Sequence, residues 1–217
     1  VSGTPLRYDM LADMKLLATT GDVIYDLSNA YLIEQGYSAK PTVYIKTIES
    51  RKRTDWDTEY QDAYNQLVVE SDKRNAFIAS YAKLNFGSTL ILVNRLDHGK
   101  RLQEMIAGSI FVHGNDTTEY RQSVIADMRS KAGIYIASPI FDEGIDVPGV
   151  DTVILAAGGK SHIKLLQRIG RGMRRKEGTN TLKILDFIDD TNKFLLDHSN
   201  ERIDTYVKEG FDTVLID

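Results

Sequence analysis

The stretch "STLILVNRLDHGKRLQEMIAGSIFVHGNDTTEYRQSVIADMRSKAGIYIASPI", Ser88 to Ile140, decides the fold. Three short runs in it, "STLILVN", "SIFVHG" and "GIYIASPI", are rich in apolar and β-branched residues and lack the strict alternation of a half-exposed strand. Two amphipathic stretches of helical length separate them, "RLDHGKRLQEMIAG" and "TTEYRQSVIADMRSKA". A strand that is apolar on both faces has no solvent side, which is the condition of parallel strands covered by crossover helices. The runs "DTVILAA", "SHIKLLQRIG" and "TLKILDFID" continue the pattern downstream. The expected fold is therefore α/β, a doubly wound parallel sheet with helices on both faces.

The first 87 residues are less regular, and the organisation is expected to divide there: a lead-in segment over 1–87 and an α/β domain over 88–217. Within the lead-in, "KPTVYIKTIE" alternates like a strand. After it, Tyr60, Tyr64, Leu67 and Val68, then Phe77, Ile78, Tyr81 and Leu84, fall at helical spacing, which predicts an N-terminal helical segment leading into the sheet. Such an aromatic stripe could stack on bases, but its helical period favours a core face. The tail "NKFLLDHSNERIDTYVKEGFDTVLID" reads as a terminal helix and a last short strand.

Composition bounds the function classes. With 42% hydrophobic and 27% charged residues in 217, the chain is a globular protein rather than a disordered one. Its apolar runs are far shorter than a membrane span, so no membrane partner is expected. The absence of cysteine excludes disulfides and thiolate metal sites and fits a reducing, cytoplasmic compartment. No secretory leader opens "VSGTPLRYDM", and the lack of an initiator Met suggests a piece of a longer chain. The net charge of -4 argues against a uniformly basic coat, yet basic residues cluster at Arg51–Arg53 and from Arg168 to Lys176.

Two phosphate-binding decoys fail on spacing. "GGKS", Gly158–Ser161, ends like a Walker A loop, but the pattern demands a first glycine where Ile154 stands. "PIFDEGID" mimics a Walker B strand at Asp142-Glu143, but Pro139 breaks the strand before the carboxylates. No metal-ligating set emerges either, since His113 has no second histidine at ligand spacing. Nothing in the chain can hold a Mg-triphosphate alone. Gln167, Gly170, Arg171 and Arg174 share one helical face, and an arginine-rich helix end is by itself a solvated surface favoured by the macrodipole.

The ordered set of motifs changes that balance. "SGTP" at 2–5, "LILVNR" at 90–95, "VHG" at 112–114, "IASPIFDEGIDVPGVDTVILAA" at 136–157 and "LLQRIGRGMRR" at 165–175 resemble motifs III to VI of the superfamily 2 helicases, in order. Residues around motifs IV and VI look like the phage UvsW-type, repair-type and restriction-motor group more than the DEAD-box RNA helicases. The resemblance implies a RecA-like sheet and the C-terminal lobe of a two-lobed motor, whose partner is the N-terminal RecA-like lobe of the same parent chain. That missing lobe would hold ATP and Mg2+. Arg171 and Arg174 match the arginine-finger positions, and an arginine fork suits the charge of a phosphoryl-transfer transition state. Gln167, Gly144 and Asp146 match positions near the nucleotide.

Asn94, Arg95, His113, Gly114 and Ser138 match positions along the nucleic-acid backbone, and Lys160 or Ser161 is expected to face the strand from the "GGKS" turn. Ser138-Pro139 departs from the threonine-aspartate pair of many relatives. The implied substrate is DNA, single-stranded or branched, ahead of RNA, in a bacterial or phage-infected cell. The isolated chain is expected to turn over no ATP. Two other readings share the pattern: the motor of a restriction-enzyme translocase, and a non-catalytic nucleic-acid-binding module. Retention of Gln167, Arg171 and Arg174 weighs against the second.

Overall fold

A computed structural model describes residues 10–22, 24, 29–35, 40–48, 56–138, 150–159 and 181–216. Seven strands form one sheet: β1 (Lys40–Thr47), β2 (Ser88–Leu92), β3 (Ile110–Val112), β4 (Gly133–Ala137), β5 (Thr152–Leu155), β6 (Thr181–Ile188) and β7 (Asp212–Ile216). Their order is β3-β4-β2-β5-β6-β1-β7, and every pairing is parallel. The doubly wound parallel α/β sheet expected from the strand pattern, which the family resemblance implied to be RecA-like, is the fold observed. Strands β2 and β5 are buried at every position, as their unbroken apolar composition requires.

Alternate residues of the central strands feed two cores. Leu90, Leu92, Tyr135, Val153, Leu155 and Ile184 point to one face, while Ile91, Val93, Ile136, Ile154, Leu185 and Phe187 point to the other. Helix α6 (Thr118–Ser130) covers the first face with Val124 and Met128, and α7 (Lys193–Lys208) adds Tyr206. Helix α4 (Asp72–Leu84) covers the second with Ile78, Ala79 and Ala82, and α5 (Leu96–Met105) adds Leu102. Each fully buried aliphatic side chain in these cores contributes about 1.5–3 kcal/mol relative to exposure.

The lead-in does more than precede the sheet. After α1 (Met10–Thr20) and α2 (Asn29–Glu34), β1 inserts between β6 and β7. Then α3 (Tyr60–Tyr64) runs into a π-helical turn, Asn65–Val69, before the chain breaks at Glu70 and restarts α4 at the capping Ser71. The helical aromatic stripe is largely core: Tyr64, Leu67 and Val68 are buried and pack with Leu195 of α7. Phe77 and Tyr81 are half-buried against the second core. Leu84 departs from the stripe, exposed where α4 ends.

Candidate nucleic-acid interface

The chain travels outward from β2 to β3, returns to β4, and then crosses β2 to place β5 on its far side. In a parallel sheet this reversal opens a crevice beyond the carboxyl ends of the strands on either side of it. Asn94 and Arg95 leave β2 there, His113 and Gly114 follow β3, Ser138 follows β4, and Gly158 and Gly159 follow β5. The expected interface residues that lie within the described structure therefore share one edge of the sheet. Gln167, Arg171, Arg174, Gly144, Asp146, Lys160 and Ser161 lie outside the described residues, as do the "SGTP" residues.

Each described residue has a distinct setting. Arg95 is exposed at the N-cap of α5, where its Nη2 donates to Gln61 Oε1 and its guanidinium lies 6.0 Å from the Tyr64 ring centroid. Helix α3 thus holds this cation at the carboxyl edge. Asn94 is half-buried beside it. The backbone N–H of His113 donates to Asp116 Oδ2 at 2.7 Å, and the ring Nδ1 stands 3.4 Å from the same oxygen, an ionic contact only when the imidazole is protonated. Its ring meets Phe111 edge-on at 5.0 Å. Gly114 is exposed, whereas Ser138 is buried and its backbone N–H donates to the Val112 carbonyl.

A buried ionic network that the sequence reading missed stands behind this edge. Arg74 of α4 and Arg202 of α7 are both 0% exposed. Arg74 Nη1 donates to Asp189 Oδ1 at 2.5 Å, its Nε donates to the Ala156 carbonyl at 3.2 Å, and its guanidinium stacks 4.2 Å from the Phe187 ring. Arg202 grips Asp186 through Nε at 2.9 Å, the Gly158 carbonyl through Nη1 at 2.6 Å and the Phe187 carbonyl through Nη2 at 2.8 Å. The Tyr206 hydroxyl donates to Asp186 at 2.6 Å. Burial pushes the Asp189 carboxyl up, against the pull of Arg74 and Arg202. Burial opposes the charge on Arg202, but Asp186 more than offsets this and raises its pKa. Runs such as "SDKRNAFI" and "HSNERIDTYV" look like solvated helix faces, so only a charged residue at a core-facing period could have signalled these arginines.

The fold and edge define a RecA-like α/β lobe of the kind found in nucleic-acid motors. Residues 72–176 match the family of the helicase conserved C-terminal domain. The ATP-dependent DNA helicase uvsW of Enterobacteria phage T4 is 27% identical over 231 aligned residues, 93% of this chain and 45% of that protein. The pre-mRNA-splicing ATP-dependent RNA helicase PRP28 of Lodderomyces elongisporus is 25% identical over 186 residues, 82% of this chain and 30% of that protein. The crystal structure of T4 UvsW superposes with a TM-score of 0.63 at 26% identity, covering 81% of this chain and 40% of that one. Saccharomyces cerevisiae Dbp5 bound to RNA and ADP BeF3 shares the fold, with a TM-score of 0.60 at 17% identity over 95% of this chain and 48% of that one. The match over residues 72–176 and the likeness to T4 UvsW in sequence and fold together support a superfamily 2 helicase C-terminal lobe. The chain spans less than half the length of the relatives named here, which are ATP-dependent helicases, so the family is enzymatic.

Proposed function

We propose that this chain is the second motor lobe of an ATP-dependent DNA helicase or translocase. ATP bound by an N-terminal RecA-like lobe of the parent chain would meet Arg171 and Arg174, with Gln167, Gly144 and Asp146 near the nucleotide. The observation that carries the reading is the convergence of Asn94, Arg95, His113, Gly114 and Ser138 on one carboxyl edge at the sheet's topological reversal. Backbone N–H groups, hydroxyls and arginine at such an edge suit phosphates without reading bases, which is what movement along a strand requires. Lys160 and Ser161 follow Gly158 and Gly159 in sequence and extend the same donor set.

The donor chemistry fits the phosphates of ATP better than its metal ion. Among the described residues no three His, Cys, Asp or Glu side chains gather as a metal site, and the nucleotide-facing candidates are mainly arginine, glutamine and glycine. In this reading the Mg2+ ligands would come from the other lobe, as the likeness to two-lobed helicases implies. When ATP is bound there, the arginines offset charge on the transferring phosphoryl group, an effect worth roughly 10³ to 10⁵ in turnover.

The test compares ATP turnover by this chain with turnover by a parent chain extended through its upstream lobe, with and without DNA. The extended form should hydrolyse ATP, respond to DNA, and lose about 10³-fold or more in kcat on Arg171→Ala or Arg174→Ala. Turnover by the short chain alone, or indifference of the extended form to both substitutions, overturns the reading.

A further inference from the structure

Arg74 and Arg202 approach the end of β5 from opposite faces of the sheet. Arg74 comes from α4, beside Phe187 of the second core, while Arg202 comes from α7 beside Tyr206 of the first. Their targets are main-chain carbonyls two residues apart, Ala156 and Gly158. Pairing of β5 with β6 ends at Ile154, opposite Leu185, whereas the N–H of Ala157 still donates to Leu92 on the β2 side. Past the end of β5, where the ladder with β6 has stopped, the carbonyls of Ala156 and Gly158 are taken by the two guanidiniums instead of by a strand. The two guanidiniums replace the missing strand.

Gly158 shows how tightly this exit is held. Its φ is +60°, and a Cβ there would lie 2.9 Å from Asp189 Oδ2 and 3.0 Å from Arg74 Nη2. Both of those atoms are buried and lack a hydrogen-bond partner among the described residues. A buried ion pair is poor value for stability alone, because apolar residues of like volume often serve as well. What apolar residues cannot do is grip carbonyls. Twelve to sixteen residues beyond Gly158 in the sequence stand Gly170, Arg171 and Arg174.

We propose that Arg74 and Arg202 are positioning residues, which fix the exit of β5 at Gly158 and thereby set where the chain enters the segment bearing Arg171 and Arg174. The inference rests on the function proposed above. It ties the exit of β5 to both the lead-in helix and the C-terminal helix, one from each side of the sheet.

The test uses the parent chain with both lobes and the variants Arg74→Lys, Arg202→Lys and Gly158→Ala, the last leaving both arginines in place. Folding is checked by circular dichroism and DNA affinity at one salt concentration. The expected result in each folded variant is a kcat lower by about 10²-fold, the scale of a misplaced catalytic group. KM for ATP and DNA affinity should not change. In an Arg171→Ala background the same substitutions should cost little more, because groups that act as a unit are not additive. If a lysine variant fails to fold, Gly158→Ala supplies the readout. Unchanged kcat in the folded variants, or losses that multiply in full with Arg171→Ala, overturns the inference while leaving the two-lobe reading intact. If Arg171→Ala itself has no effect on the wild-type parent chain, the reading of function fails first and this inference falls with it.

Discussion

His98 is buried with a single hydrogen-bond partner among the described residues, its Nε2 lying 2.9 Å from Asn75 Oδ1. The Asn75 Nδ2 donates to the Val69 carbonyl, which turns the amide so that its oxygen faces the imidazole and assigns the ring proton to Nε2. Burial, reinforced by Arg74 and Arg101, lowers the pKa of His98 from 6.5 to about 3. Between those values the unfolded chain binds a proton that the folded chain does not, so stability falls as pH falls through this window. The limiting slope is about 1.4 kcal/mol per pH unit. Urea unfolding at about pH 7 and about pH 5 should show the decline, and His98→Gln should flatten it. An identical slope in the variant would place the effect elsewhere. The sequence hid this residue because "RLDHGKR" looks like an exposed helix start. Its burial follows from Gly99, where a Cβ would fall 2.3 Å from the Phe111 ring, so only glycine lets α5 close on β3.

At the scale of elements, Asn192 joins the C-terminal helix to the lead-in. Its Oδ1 caps α7 by accepting from Phe194 and Leu195 N–H groups, while its Nδ2 donates to the carbonyls of Trp56 at 3.3 Å and Thr58 at 3.0 Å. Asn192→Asp keeps the cap and turns a carboxylate toward those carbonyls. The Thr58 carbonyl then loses this donor while the Trp56 carbonyl keeps the Lys193 N–H at 3.3 Å, and the change should cost about 1–3 kcal/mol, with faster amide hydrogen exchange across residues 58–69 as the local signature. Unaltered exchange there would show that the lead-in docks by other contacts. The same pair of elements explains what was legible. Strands β2 and β5 announced themselves because burial on both faces leaves an unbroken apolar run. Helix α7 was legible as a helix, but its inward face is Leu195, Ser199, Arg202 and Tyr206, which no apolar periodicity distinguishes from a surface. The network behind the edge depends on tertiary pairing between "KRN" in α4, "DFID" at the end of β6 and "NERIDTY" in α7, and no local pattern records such a pairing. The edge residues were legible only through the ordered motifs, since Asn94, His113 and Ser138 taken singly look like ordinary strand ends.

For the whole molecule, the net charge of -4 sets how it can meet a polyanion. A long-range field of that sign repels nucleic acid, so attraction must be local and must come from cations held at the right edge. In the proposed function Arg95 would be one of these, because Gln61 and Tyr64 of α3 restrain an exposed guanidinium that would otherwise sweep through solvent. A restrained cation gives up less conformational entropy on meeting a phosphate. Each phosphate neutralised releases counterions, which makes log K fall with log salt by about 0.7 per contact on a single strand. If Arg95 makes one such contact, Arg95→Ala should weaken binding evenly across strand sequences and reduce the magnitude of the salt slope by about 0.7. Titrations of fluorescent single strands of differing sequence, over a range of salt, read both quantities. A sequence-dependent loss would mean that Arg95 reads bases. A weakened affinity with an unchanged slope would mean that it acts through α3 and shapes the edge without touching a phosphate.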